Sequence, residues 1–241
     1  MSKKILAFLV TVLVAISFIS CSTSSNKSND SSKESNAYAS TNDKKYSNLK
    51  GSWTKDLTVD DFKEKYSEIY DKVKEKTEDY GLKYTQKENV FDIKKNEKES
   101  YLYLDQEKPD KNKLESLYFG CTYYGEGESK GQITLKVSLN FDGKGAVKNK
   151  NFDFGKTSLA AYSSILTGVK DRNYSNINKK ILETLESKSG EGYFSQNQDG
   201  LYEEFVVSKN YIVYTLQTKI YKFSQKEDAS QVDSNKVESK K

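Results

Sequence analysis

Residues 133–141 alternate without a break. Ile133, Leu135, Val137, Leu139 and Phe141 are apolar, and Thr134, Lys136, Ser138 and Asn140 between them are polar. Successive side chains of a strand point to opposite sides of its sheet, so this run has one face for a core and one for water. A helix would scatter the same apolar residues around its axis. Strand-like runs precede it at Leu82–Tyr84, Val90–Ile93, Tyr101–Leu104 and Leu117–Tyr124. Asp142-Gly143-Lys144-Gly145 after it has turn chemistry, which predicts a partner strand within Val147–Phe154. Further strands are expected near Tyr193, at Tyr202–Val207 and at Tyr211–Phe223, with Ser208-Lys209-Asn210 turning between the last two. Strands that follow one another without intervening helices pair antiparallel.

Three stretches have helical spacing instead. Phe62, Tyr66, Ile69, Tyr70, Val73 and Tyr80 fall on one side of a helix, opposite lysine and glutamate. Thr58 with Asp61 three residues on is a start signal, and Gly81 a stop. Leu159, Tyr162, Ile165, Leu166 and Val169 predict a second helix over 158–168. Ile177, Ile181, Leu182 and Leu185 predict a third over 175–188, with Gly190 beyond it. The expected class is α+β: an antiparallel sheet with one N-terminal helix and a central helix pair.

Two polar stretches bound this region. Residues 22–50 are rich in Ser, Asn, Lys and Asp, a composition that buries too little surface to offset the entropy of ordering. A flexible segment of about 30 residues reaches roughly 30 Å on average. Residues 226–241 have the same character. The expected organisation is a leader over 1–20, a tether over 21–52, a globular domain over 53–224 and a loose tail over 225–241. The domain, at about 170 residues, fits a single folding unit.

The leader combines Lys3 and Lys4 with an apolar run from Ile5 to Ile19, broken only by Thr11 and Ser17. That run is shorter than the ~20 residues that span a bilayer, and it fits an export signal. It ends in Phe18-Ile19-Ser20-Cys21. These residues resemble the lipobox of bacterial lipoproteins, with Phe18 where the family usually has leucine. The resemblance implies that Cys21 receives a diacylglyceryl group, that cleavage precedes Cys21, and that the mature chain is held at the outer face of the cell membrane. Two acyl chains give stable attachment where one is marginal. Cleavage after Ser17 or Ser22 to a soluble product, or retention of the leader as a short membrane helix, are the competing readings.

Several chemistries are excluded outright. The chain has no histidine, which removes His-based acid–base catalysis, Ser-His-Asp and Cys-His nucleophiles, and His metal sites. Its formal charge is +4, and loss of Lys3 and Lys4 with the leader leaves 37 basic against 35 acidic side chains, or +2. Arg172 is the only arginine. A near-neutral chain with one arginine is not expected to bind nucleic acid. No cofactor motif is present. The glycine-dense loop Gly125–Gly131 carries two glutamates and precedes a strand, so it reads as a hairpin connection and not a phosphate cradle.

Cys121, in an apolar run, reads as a buried thiol. The acids Asp56, Asp60 and Asp61, and Glu203 and Glu204, lack calcium-loop spacing and read as solvated faces. Tyrosine is abundant: Tyr66, Tyr70, Tyr80, Tyr84, Tyr101, Tyr103, Tyr118, Tyr123, Tyr124, Tyr162, Tyr193, Tyr202, Tyr211, Tyr214 and Tyr221 all fall in the predicted domain. An apolar ring with a polar tip suits surfaces that bind sugars, peptides or proteins, and equally suits half-buried strand positions.

Helix, glycine and three strands occur in that order over 59–104 and again over 175–223. This element order resembles tandem helix-plus-sheet modules of the beta-lactamase inhibitory protein type, and also the LolA-type lipoprotein carriers. Fold-level likeness does not assign function. The leading expectation is a noncatalytic envelope lipoprotein with a protein or cell-wall polymer partner. The alternatives are a LolA-like carrier of lipid or another apolar ligand, and a carboxylate-based enzyme acting on cell-wall glycans, which needs two acids converging in a cleft.

Overall fold

In a computed structural model, residues 45–92 and 97–223 are described. They form an antiparallel sheet of eight strands with four helices. In chain order these are α1 (Val59–Asp79), β1 (Thr85–Asp92), β2 (Glu97–Asp105), β3 (Lys113–Tyr124), β4 (Lys130–Asn140), α2 (Gly143–Asn149), α3 (Ser158–Thr167), α4 (Ser175–Glu186), β5 (Gly192–Gln198), β6 (Leu201–Val207), β7 (Tyr211–Gln217) and β8 (Tyr221–Lys222). The sheet order is β1-β2-β3-β4-β7-β6-β5, and β8 continues along β4 beyond β7. The α+β class read from the periodicity is therefore the observed one.

α1 begins where its capping box predicts. The Thr58 hydroxyl accepts from the Asp61 backbone N–H, and Asp61 accepts in return from the Thr58 N–H. It ends at Gly81, whose φ of 68° is left-handed and costs little without a Cβ. Phe62, Tyr66, Ile69 and Val73 are buried on its inner face.

The strand register divides the sheet into two chemically distinct faces. On one, Leu104, Leu117, Val137, Tyr214, Phe205 and Phe194 form a row across six strands. The helices lie on this side: Tyr66 of α1 stacks on Phe119 of β3, Ser163 of α3 meets Tyr214 of β7, and Lys180 of α4 sits over Phe194 of β5. The interface is filled, with Phe62, Phe119, Phe154, Tyr162, Phe205 and Tyr214 almost wholly buried.

Three expectations are corrected by the fold. The partner strand expected within 147–154 does not form. Asp142 accepts a hydrogen bond from the Gly145 N–H and caps α2, Phe154 turns into the core, and the second neighbour of β4 is β7. The tether was expected to run to residue 52, but Lys45–Ser52 make defined contacts with the domain. The carboxylate of Asp199 receives both the backbone N–H and the hydroxyl of Ser52, and its carbonyl receives the Trp53 N–H. The strand candidate at Leu82–Tyr84 does not form, and the first strand is β1, which starts at Thr85 and takes in the candidate at Val90.

The helix–glycine–three-strand order does recur, with α1 before β1–β3 and α4 before β5–β7. β3 and β7 are both antiparallel to β4, so they run in the same direction on either side of it. One meander thus advances toward β4 from one side and the other from the opposite side, with helices on the same face. The two runs have opposite hand and no rotation superposes them. The calls on 1–20, on Cys21 and on the tail beyond 223 lie outside the described residues.

Candidate functional site: the polar face of the sheet

The side of the sheet away from the helices carries the intervening residues of every strand. One row reads Tyr103, Tyr118, Lys136, Thr215, Glu204, Ser195, and the row beside it Tyr101, Gly120, Thr134, Gln217, Tyr202, Asn197. Tyr193 and Tyr211 stand most exposed at one end, at 52% and 39%. The face is polar and aromatic where its reverse is aliphatic and aromatic. Period-two alternation sorts the residues this way with no further instruction.

On β2 and β3 the tyrosines touch one another. Tyr101 and Tyr118 stack with ring centroids 5.5 Å apart and planes at 29°, and Tyr101 and Tyr103 are 5.8 Å apart. Gly120 makes this possible. A Cβ placed there would lie 2.5 Å from Tyr118 Oη and 2.8 Å from Tyr101 Cβ. The missing side chain leaves a slot that the Tyr118 ring fills, and its hydroxyl donates to Glu99. Burial raises the Glu99 carboxyl to about 7.

On β4, β6 and β7 the face holds Lys136 and Glu204. Burial lowers the pKa of Lys136, and Glu204 opposes that shift. Residues 45–46 cross this half as a short strap. Lys45 Nζ donates to Gln217 at 2.8 Å and sits 4.1 Å above the Tyr202 ring. Tyr46 Oη lies between Gln217 and Gln132, and its ring meets Tyr202 edge-on. Burial, partly offset by Glu204, lowers the Lys45 pKa as well.

The acids singled out in the sequence do not form a site. Asp61 caps α1, Asp56 pairs with Lys219 at 2.9 Å, and the neighbours Glu203 and Glu204 point to opposite faces. Glu203 lies in the core, held by both Arg172 nitrogens at 2.5 and 2.7 Å, by Tyr214 Oη at 2.6 Å and by Gln196 at 2.6 Å. Burial works against the Arg172 charge, but the hydrogen bonds and charge of Glu203 outweigh it and raise its pKa. The glycine-dense loop is the β3–β4 hairpin connection, where Glu128 bridges Lys63 and Lys98. Cys121 is buried against Tyr123, and burial pushes its thiol up to about 12, far from a reactive thiolate.

A concavity of about 520 Å³ opens between the loops at 153–156 and 170–175. Asp153, Asp171, Lys156 and Lys170 line it with Arg172 and Tyr174. Asp153 already serves the Gly155 N–H and Lys156. Among the described residues no group of three acids or cysteines could hold a metal ion, and no helix is long and apolar enough to cross a membrane.

Sequence reasoning named the tyrosines but could not sort them. Tyr66, Tyr162 and Tyr214 belong to the helix side, while Tyr101, Tyr103 and Tyr118 belong to the polar side. It passed over Lys136 and Glu99, whose signal was present in the strand alternation but needed the register to acquire neighbours. Compared with known proteins, the chain matches no protein family, no curated protein and no solved structure.

Proposed function

We propose that this chain is a membrane-anchored cell-envelope lipoprotein on the extracytoplasmic face, and that its folded domain is a noncatalytic module binding a cell-wall polymer through the polar face of the sheet. The observation that carries the binding half is the division of the sheet into a filled aliphatic face and a hydroxyl- and tyrosine-rich one. Tyrosine offers contact area at low entropic cost and a polar tip for orientation. The anchor rests on the leader and on Cys21, which implies a partner within reach of the membrane surface.

A LolA-like carrier would need apolar space between helices and sheet. Tyr162, Phe154 and Tyr214 occupy that interface, which favours the binding module over the carrier. The carboxylate-based enzyme keeps one supporting observation, the presence of Asp153 and Asp171 in one polar concavity.

Fatty-acid labelling of cells producing wild-type or Cys21→Ala protein tests the anchor: label is expected on the wild type alone, and label on the variant refutes the assignment. Sedimentation of the purified full chain with isolated cell walls tests the binding half. Saturable retention is expected, and its absence refutes it.

A further inference from the structure

We propose that the domain pairs with a second copy of itself through β5, the two β5 edges joining antiparallel so that the two sheets run on as one. The pairing goes beyond the wall-binding reading and does not rest on it.

β5 stands at one end of the sheet order, with β6 beside it. Gln198 and Leu201 close a two-residue turn and so exchange hydrogen bonds. Alternation along the ladder then leaves the N–H and C=O of Tyr193, Ser195 and Asn197 directed away from β6. Such a row is a template for another strand, and proteins usually blunt it with charge, proline or a bulge. β5 has none of these. Its sequence, Gly192-Tyr193-Phe194-Ser195-Gln196-Asn197-Gln198, is uncharged, and its register with β6 is unbroken. The opposite edge is blunted, because β1 carries Lys87 and a register shift between Val90 and Asp92. None of the seven residues of β5 is buried, although Phe194 stacks on Phe205 at 4.5 Å. Tyr193 is 52% exposed.

The strand is complementary to itself, which points to a second copy as the occupant. With Phe194 set opposite Phe194 of the second copy, Tyr193 meets Ser195, Gly192 meets Gln196 and Glu191 meets Asn197. Tyr193 and Ser195 then present their outward backbone groups to each other, and the Phe205–Phe194 stack continues across the junction on the helix side. No like charges stand directly opposite, where they would destabilise. Centring the pair on Ser195 instead would set Glu191 against Asp199. A slip by one residue would oppose side chains of different faces. The charges beside the strand lie on either face: Lys180 of α4 over the Phe194 ring at 5.3 Å, donating to Gln196, and Glu204 one strand inward, opposite Ser195. The two Lys180 side chains flank the axis, a repulsion that salt screens.

The symmetry agrees with the rest of the molecule. Two identical edges paired antiparallel in one sheet are related by a two-fold axis normal to it, so polar face continues polar face and the helices stay on one side. The straps at residues 45–46 of both copies therefore cross the same side, as two chains anchored in one membrane require. Like edge meets like edge, so assembly closes at two copies. Tethering to a common surface raises the effective concentration, and a modest contact then suffices.

The experiment is sedimentation velocity of the purified full chain in density-matched detergent over a concentration series, with hydrogen exchange at its two ends. The protein mass is expected to double as concentration rises, and the amides of Tyr193 and Ser195 to gain protection while those of β1 do not. Ser195→Pro removes an outward N–H, which an edge strand tolerates in the monomer. It should stay a single chain at every concentration, with the circular dichroism and urea midpoint of the wild type. If that variant proves unfolded, the wild-type exchange data decide. A wild type that never doubles, a dimer that survives in folded Ser195→Pro, protection mapping to another surface, or growth beyond two copies each overturns the proposal.

Discussion

At the scale of single residues, the most consequential contact joins Arg172 to Glu203. The guanidinium is 9% exposed and the carboxylate fully buried, and Tyr214 and Gln196 complete the hydrogen bonding of that carboxylate. Removing one partner of a buried pair leaves an uncompensated charge, which costs about 3–5 kcal/mol. Arg172→Ala is therefore expected to lose about that much in urea-induced unfolding, through the orphaned Glu203 carboxylate. Glu99 supplies the pH dependence. Its carboxyl titrates near 7 in the fold against an ordinary 4.5, so the folded state favours the protonated form. The resulting stability is fully present below about 4.5 and is lost as pH rises through about 7. Partial exposure of Glu99 screens the effect, so its direction is the firm expectation. The unfolding midpoint should fall across that window in the wild type, and the slope should flatten in Glu99→Gln.

At the scale of elements, the β2–β3 pair shows how a local vacancy sets a surface. Gly120 faces the polar side between Tyr101 on β2 and Thr134 on β4. Glycine normally weakens a strand, but here the Tyr118 ring lies over it and restores contact. Gly120→Val places methyl groups where Tyr118 Oη and Tyr101 Cβ already stand, and overpacking of this kind costs about 1–3 kcal/mol. The expected result is lower stability together with exposure of Glu99 as the Tyr118 ring is displaced, read as a fall in the Glu99 pKa by carboxyl chemical-shift titration, because burial is what raises it. A variant with an unchanged Glu99 titration would mean that the slot does not seat the ring. The elements themselves were largely written in the chain. The Thr58–Asp61 box and Gly81 bound α1, and the alternation at 133–141 is β4. The reading of 142–154 as a turn and strand failed for a physical reason. Asp142 can serve a tight turn or cap a helix with the same side chain, and burial of Ala146 and Phe154 decided for the helix.

At the scale of the whole molecule, β4 is the axis. It pairs with β3, β7 and β8, and the two meanders meet on it from opposite sides. Its helix face joins apolar residues more than 70 positions apart, as where Leu139 lies opposite Ile212. Its other face links the tyrosine strip to the half crossed by the strap. By itself the sequence determined the α+β class, the residues of α1, α3, α4 and β4, the buried and inert Cys121, and the absence of histidine chemistry, because each follows from local periodicity or from composition. Only the tertiary structure decided that β7 lies beside β4, that Arg172 is spent on Glu203, that Glu203 and Glu204 part to opposite faces, and that Tyr103, Tyr101 and Tyr118 form one strip. Those outcomes depend on strand register, and register is set by which distant apolar rows bury one another, a condition no short window of sequence contains.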